Sequence, residues 1–164
     1  MRQGDAYLTD FVKGFTECAV WVATLADDVG TPLDKFYSVN DLQADSLRQM
    51  ASECRWFLEI TEEADLTPDA EAMGHMFLLT RNHHGTGFGS MEFRMMPDAA
   101  GRLVAISHDF GECDLLVDNG TIVYNSELDP EGYDRAGYHI VSGWNRNIAA
   151  DVYYTSECGR DTES

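Results

Sequence analysis

Lysine is nearly missing from this chain of 164 residues: only Lys13 and Lys35 occur, beside nine dispersed arginines. No basic stripe can therefore collect phosphates, which argues against direct nucleic-acid binding, and a field this acidic repels anionic membranes as well. Runs of about 18 apolar residues are also lacking, and Met1-Arg2-Gln3-Gly4-Asp5 has no apolar region behind it, so neither a membrane span nor a secretory leader is expected. The four cysteines, Cys18, Cys54, Cys113 and Cys158, lie far apart with no C-x-x-C pair. That spacing signals neither a zinc ribbon nor a redox dithiol. Cys18 and Cys54 fall on apolar helical faces, as reduced, buried thiols do, and a soluble protein of a reducing cytosol is expected. Repeats and low-complexity segments are absent too, which excludes solenoid and fibrous designs.

What is present in excess is carboxylate. With 29 Asp+Glu against 11 Lys+Arg the formal charge is −18. Residues 1–82 hold 15 acids and 6 bases, and residues 83–164 hold 14 and 5, so the acidity is spread and is not a detachable tail. Such a charge has two readings: solubility or adaptation to a salty environment, and a folded surface whose carboxylates imitate the phosphates of a nucleic acid. Apolar residues make up 44% of the chain and aromatic residues 11%, which suits one globular domain with its own core. We place that domain at residues 1–156, followed by a polar tail at 157–164.

Phe11, Phe15, Cys18, Val22 and Leu25 recur at steps of three and four, predicting a helix from about 6 to 25 that ends before Gly30 and Pro32. Ser38-Val39-Asn40-Asp41 has the spacing of a capping box and predicts a single turn. From about Asp45 a longer helix shows a stripe of Leu47, Met50, Ala51, Cys54, Phe57 and Leu58. Thr67-Pro68 predicts the start of a short helix ending at Gly74, and Met76-Phe77-Leu78-Leu79-Thr80 has the length of a buried strand. Another helix is expected from about Asp98 to Phe110, with Leu103, Val104, Ile106 and Phe110 inward. Asp118-Asn119-Gly120 between Leu115-Leu116-Val117 and Thr121-Ile122-Val123-Tyr124 is a strong hairpin signal, because a type I′ turn needs two positive-φ residues. Tyr138–Val141 and Asp151–Thr155 are further strand candidates. The order predicts an α+β fold: N-terminal helices packed on a small antiparallel sheet with a hairpin near 114–124.

Chemistry concentrates between His75 and Ser90. Arg81-Asn82-His83-His84 followed by Gly85, Gly87 and Gly89 could grip an oxyanion, since arginine binds such groups bidentately and glycines let backbone N–H groups approach. The spacing departs from G-x-G-x-x-G and from a loop ending in Gly-Lys-Ser/Thr. The plainer reading is that Arg81 pairs with an acid, Asn82 caps a turn and the glycines shape a tight bend. His75, His83, His84, His108 and His139 lack zincin spacing, so no metal and no cofactor is expected. Ser90, Ser107 and the cysteines lack a nucleophile elbow, and no catalytic residue is assigned. Trp21, Trp56 and Trp144 read as packing residues.

Gly74-His75-Met76-Phe77-Leu78-Leu79-Thr80-Arg81-Asn82-His83-His84-Gly85-Thr86-Gly87-Phe88 resembles the Gly-His-Asp-Phe-x-Leu-Thr-Arg-Asn-x-His-Gly-x-Gly-Phe signature of a family of small, largely uncharacterised proteins from tailed bacteriophages and related mobile elements. Pro32-Leu33-Asp34, the Tyr37–Leu47 segment, Phe110-Gly111-Glu112 and Asp118-Asn119-Gly120 are similar to the family as well. The resemblance covers roughly residues 7–125. Met76 stands where the family carries an acid, and Gly89-Ser90-Met91 where an aromatic–acid pair is expected.

The resemblance implies a phage accessory protein. With the charge, it leads to the expectation of a binding protein that inhibits a host nucleic-acid-handling or immune complex in the host cytosol, of the anti-CRISPR or anti-restriction type. The partner would be a basic protein or nucleoprotein complex, met through Asp27, Asp28, Glu59, Glu62, Glu63 and Asp65. The alternative is a small enzyme or anion- or nucleotide-binding domain using Arg81, Asn82 and His84, in which Arg81→Ala and His84→Ala remove activity and leave the fold intact. Oligomeric state is not legible in the sequence.

Overall fold

A computed structural model describes residues 5–25, 29–61, 63–84, 86–91 and 97–128. Among them four α-helices precede one antiparallel hairpin: α1 (Asp5–Val22), α2 (Ala44–Ile60), α3 (Ala70–Arg81), α4 (Pro97–Phe110), β1 (Cys113–Asp118) and β2 (Thr121–Ser126). The class is α+β, as the element order predicts. None of the described helices is long and apolar enough to cross a membrane.

α1 stops at Val22, short of the expected end, because the next residues find backbone partners across a turn. Leu33 N–H donates to the Ala23 carbonyl at 2.9 Å and Leu25 N–H to the Thr31 carbonyl at 2.7 Å. Ser38–Asp41 forms the expected reciprocal cap: Ser38 N–H donates to Asp41 Oδ2 at 2.9 Å and Asn40 N–H to Ser38 Oγ at 3.2 Å. α4 begins one residue before Asp98, with Pro97 in the first position, where its missing N–H costs nothing.

The largest correction concerns Met76–Thr80, which is helix and not strand. α3 runs unbroken through Gly74 to Arg81, with Asp69 as its N-cap in place of Thr67: the Asp69 carboxylate accepts from Ala72 N–H at 3.1 Å. Ala, Glu, Met, Leu and Arg dominate these residues, and Met73, Phe77 and Arg81 recur every four to fill one face. Gly74 is a contact point and not a stop. A side chain on it would meet the Phe11 carbonyl, and one on Gly14 would meet the Glu71 carbonyl, so α1 and α3 cross backbone to backbone.

Around that crossing the core is aromatic. Phe77 stacks on Phe57 at 4.1 Å between centroids, tilts against Phe15 at 5.3 Å and meets Phe110 edge-on at 5.3 Å. Phe88 lies parallel to Phe57 at 5.9 Å. Leu103, Ile106 and Phe110 of α4 close the core as expected, with Val104 partly buried. Trp56 is buried, but Trp21 is 61% exposed, a correction explained by its place on the α1 face that carries Asp10 and Glu17. Leu47, expected in the α2 stripe, is 41% exposed.

The hairpin has the predicted register, with Asp118 opposite Thr121 and Leu116 opposite Val123. Asn119 and Gly120 take φ of 53° and 80°, the two left-handed residues of a type I′ turn. Leu115, Ile122 and Tyr124 face the helices, and Leu116 faces away. The strand candidates Tyr138–Val141 and Asp151–Thr155, together with His139, Trp144, Cys158 and the 157–164 tail, lie outside the described residues.

Candidate functional site

α3 ends where the hairpin begins, and its last turn sets the local geometry. His84 N–H donates to the Leu79 carbonyl at 2.8 Å and His83 N–H to the Thr80 carbonyl at 3.1 Å, the paired bonds of a Schellman ending. His83 occupies the left-handed position at φ 62°, where glycine is usual. Arg81 is thereby turned into the core, while His83 and His84 are left exposed.

Arg81 is fully buried, and its five N–H donors all have acceptors. Nε donates to the Gly111 carbonyl at 2.8 Å. Nη1 donates to Glu53 Oε1 at 2.8 Å and to Tyr124 Oη at 3.0 Å. Nη2 donates to the Phe110 carbonyl at 3.2 Å and to Ser126 Oγ at 3.1 Å. Glu53 Oε1 also accepts from Tyr124 at 2.7 Å and from Ser126 at 3.2 Å. The guanidinium sits 5.3 Å from the centre of the Phe77 ring and 5.6 Å from that of Phe110. One side chain thus joins α2, α3, the end of α4 and β2.

Burial works against the Arg81 charge, but the groups around it, Tyr124, Cys113 and the Glu53 carboxylate, more than offset this and hold its pKa above the ordinary value. Burial also pushes the Tyr124 phenol well up, against the pull of Arg81. Cys54 and Cys113 are buried free thiols whose pKa values burial likewise raises, as is expected of structural and not nucleophilic cysteines.

This geometry argues against the expectation that Arg81→Ala spares the fold. Arg81 has no donor left for an incoming anion. Asn82 Oδ1 is engaged as well, accepting from Cys113 N–H at 2.9 Å. His84 alone of the three sequence-predicted ligand residues is exposed, on an open cleft of about 600 Å³ that it shares with Thr24, Asn82, Glu112, Asp114 and Glu127. Three carboxylates line the cleft, and their field works against a phosphate there.

The signature glycine at 87 also serves packing. A side chain there would strike Thr80, whose Oγ1 accepts from Phe88 N–H at 2.8 Å and donates to the Met76 carbonyl at 2.7 Å. The bend seats Phe88 in the aromatic core. Gly85 lies outside the described residues.

The expected acidic contact patch is only partly in view. Asp27, Asp28, Glu62 and the side chain of Glu63 lie outside the described residues. Glu59 is half-buried on α2. Asp65 is not the exposed carboxylate expected: it is 5% exposed and held bidentately by Arg102, at 2.9 and 2.8 Å. Glu53, the acid that matters most to the fold, escaped the sequence reading. Its position three residues after Met50 and four before Phe57 puts a carboxylate inside an apolar stripe, and that is the signal that could have found it.

No protein-family model matches the chain. No curated protein and no solved structure matches it either.

Proposed function

We propose that this chain is an acidic binding protein that captures and inhibits a basic, nucleic-acid-handling host complex, an immune effector of the anti-CRISPR or anti-restriction type. The observation that carries the reading is the fate of the charge. The chain bears −18 spread over both halves, and four of the cations among the described residues are already held by carboxylates: Lys13 by Glu71, Arg48 by Asp45, Arg81 by Glu53 and Arg102 by Asp65. Of the other described cations Lys35 and Arg55 stay exposed, and carboxylates outnumber them. A field of that sign steers a cationic surface toward the chain, speeds encounter and makes binding sensitive to salt. The resemblance of residues 74–88 to phage and mobile-element proteins supports a role against the host, acting in its cytosol. The sealed Arg81 takes support from the alternative of an anion-binding site at Arg81, Asn82 and His84.

The test is capture from a bacterial lysate on the immobilised chain at low salt and at about 0.5 M salt, where charges a few ångströms apart are already screened. A purified CRISPR effector and a restriction endonuclease are then assayed for DNA cleavage with and without added chain. The reading expects basic nucleic-acid-handling proteins that salt releases, and loss of cleavage by a captured complex. Capture of none at low salt, or full cleavage by every captured complex, overturns it.

A further inference from the structure

Among the described residues the hairpin is packed on one face only. Leu115, Ile122 and Tyr124 are buried in the core. Its backbone edges are largely taken up. Gln43 N–H donates to the Ile122 carbonyl and Tyr124 N–H to Ser46 Oγ, while on β1 Asn82 takes Cys113 N–H and Asp114 Oδ1 takes Leu115 N–H. What stays open is the other face. Side chains alternate along each strand, so the register puts Asp114, Leu116 and Asp118 there beside Thr121, Val123 and Asn125. Leu116 and Val123 stand opposite each other at its centre. Leu116 is 51% exposed and Val123 half-buried, and neither belongs to the core. Asp114 and Asp118, both exposed, flank Leu116 on either side. At the Asp114–Asn125 pair the face meets the open cleft, which adds Glu112 and Glu127. An apolar pair is thus rimmed by carboxylates.

We propose that this outer face is a docking surface for an amphipathic, cationic helix of a partner protein. Its apolar residue sits on Leu116 and Val123, and its basic side chains reach Asp114 and Asp118. A sheet buries an apolar face by laying a helix across it, as the inner face of this hairpin already does. The spacing suits the occupant. Asp114 and Asp118 lie roughly 13 Å apart along an extended strand. A helix presents residues i, i+4 and i+7 on one stripe over about 10 Å, and long basic side chains cover the difference. The segment therefore reads basic-x-x-x-apolar-x-x-basic. Apolar contact at the centre holds it, and the charged rim selects it. Glu112 and Glu127 extend the same field past Asp114. A second copy of this chain is the wrong occupant, because it would bring Asp114 and Asp118 against their own counterparts, between two molecules of −18 each. This docking mode rests on the reading of the chain as a binder of a basic partner and names the surface used.

The probe is the capped peptide Ala-Arg-Ala-X-Gln-Leu-Ala-X-Arg-Ala-Ala, held helical by a hydrocarbon staple between its two X positions on the opposite face. It is titrated into the isotopically labelled full chain and followed through backbone amide signals. Expected are shifts centred on Leu116 and Val123. Affinity should fall about threefold or more in about 0.5 M salt and in the Asp114→Asn/Asp118→Asn variant, as a charge-guided contact requires. Peptides with glutamate for arginine, or serine for leucine, should bind more weakly by at least the same factor. The docking mode is overturned by an absence of shifts, by shifts centred elsewhere or spread evenly over the acidic surface, by equal binding of either control peptide, or by dimerisation through this face. Leu116→Ser/Val123→Thr separates it from the broader proposal, since both side chains lie outside the core and threonine suits a strand. If that variant folds and still captures and inhibits a salt-released basic complex as the parent chain does, the docking surface fails and the proposed function stands. If the parent chain captures none, the proposed function fails, while the peptide titration still decides this face.

Discussion

Arg81 Nη1 lies 2.8 Å from Glu53 Oε1, and neither side chain reaches solvent beyond 2% of its surface. A buried pair of this kind adds little over a well-packed apolar pair, yet breaking it strands a charge. Arg81→Met should therefore cost about 3–5 kcal/mol in urea unfolding, and Glu53→Met a similar amount. The double variant should lose clearly less than the sum. Arg81→Lys should also fail to restore stability, because an ammonium cannot span the Gly111 and Phe110 carbonyls, Glu53, Tyr124 and Ser126 together. Additive losses in the double variant would show that the two residues act independently.

Gly14 and Gly74 let α1 and α3 touch, and Gly101 offers the control. Gly14→Ala and Gly74→Ala each push a methyl into a carbonyl of the facing helix, which must move the helices apart. Each should cost at least about 1–3 kcal/mol. Gly101 lies in α4 with open space around its Cα, so Gly101→Ala should stabilise by up to about 1 kcal/mol. Thermal unfolding of the three variants checks the opposite signs.

The sequence announced those elements whose signals are local. The α1, α2 and α4 periodicities, the Ser38–Asp41 cap and the Asn119-Gly120 turn each fit within one element, and each appears within a few residues of its predicted place. Met76–Thr80 fits a strand and a buried helix alike, because four apolar residues in a row, Met76 to Leu79, suit both. Gly74 looked like a boundary only because its reason for being glycine lies in another helix. The same holds for the candidate site. That Arg81 pairs with an acid was one of two readings of the cluster, but the partner, 28 positions away, is set by how α2 and α3 pack. Asp65 stands among surface acids in the sequence, but the partner that buries it, Arg102, is 37 positions on.

His83 holds a left-handed backbone that costs a non-glycine residue roughly 1 kcal/mol. Its side chain gains little in return: the ring rests 4.4 Å from that of His108, and Nε2 stands 3.8 Å from Glu112 Oε2, all on the surface. Exposed contacts of this kind contribute under about 1 kcal/mol. His83→Gly should therefore leave stability unchanged or raise it by a few tenths to 1 kcal/mol, and a chemical denaturation curve decides. A marked loss would show that the His83–His108 contact outweighs the strain and would direct attention to that pair.

Tyr7 ties α1 to the loop before α3, its hydroxyl donating to the Thr67 carbonyl at 2.6 Å. Burial first, and the nearby Asp69 carboxylate second, push its pKa from 10 up to about 12. Cys18 moves the same way, from 9 to about 11, through burial and the neighbouring Cys113. Both groups are neutral in the fold and ionise more readily once unfolded. Their contribution is therefore complete below the unfolded values and is lost as pH rises through the folded ones. Stability should hold to about pH 9 and then decline between about 9 and 12. Tyr7→Phe should cost about 1 kcal/mol at neutral pH through the lost hydrogen bond. It should also flatten the part of the decline above pH 10, since phenylalanine releases no proton. Urea midpoints measured at intervals from pH 7 to 12 test both effects, and parallel curves for the two proteins above pH 10 would show that Tyr7 is not among the groups responsible.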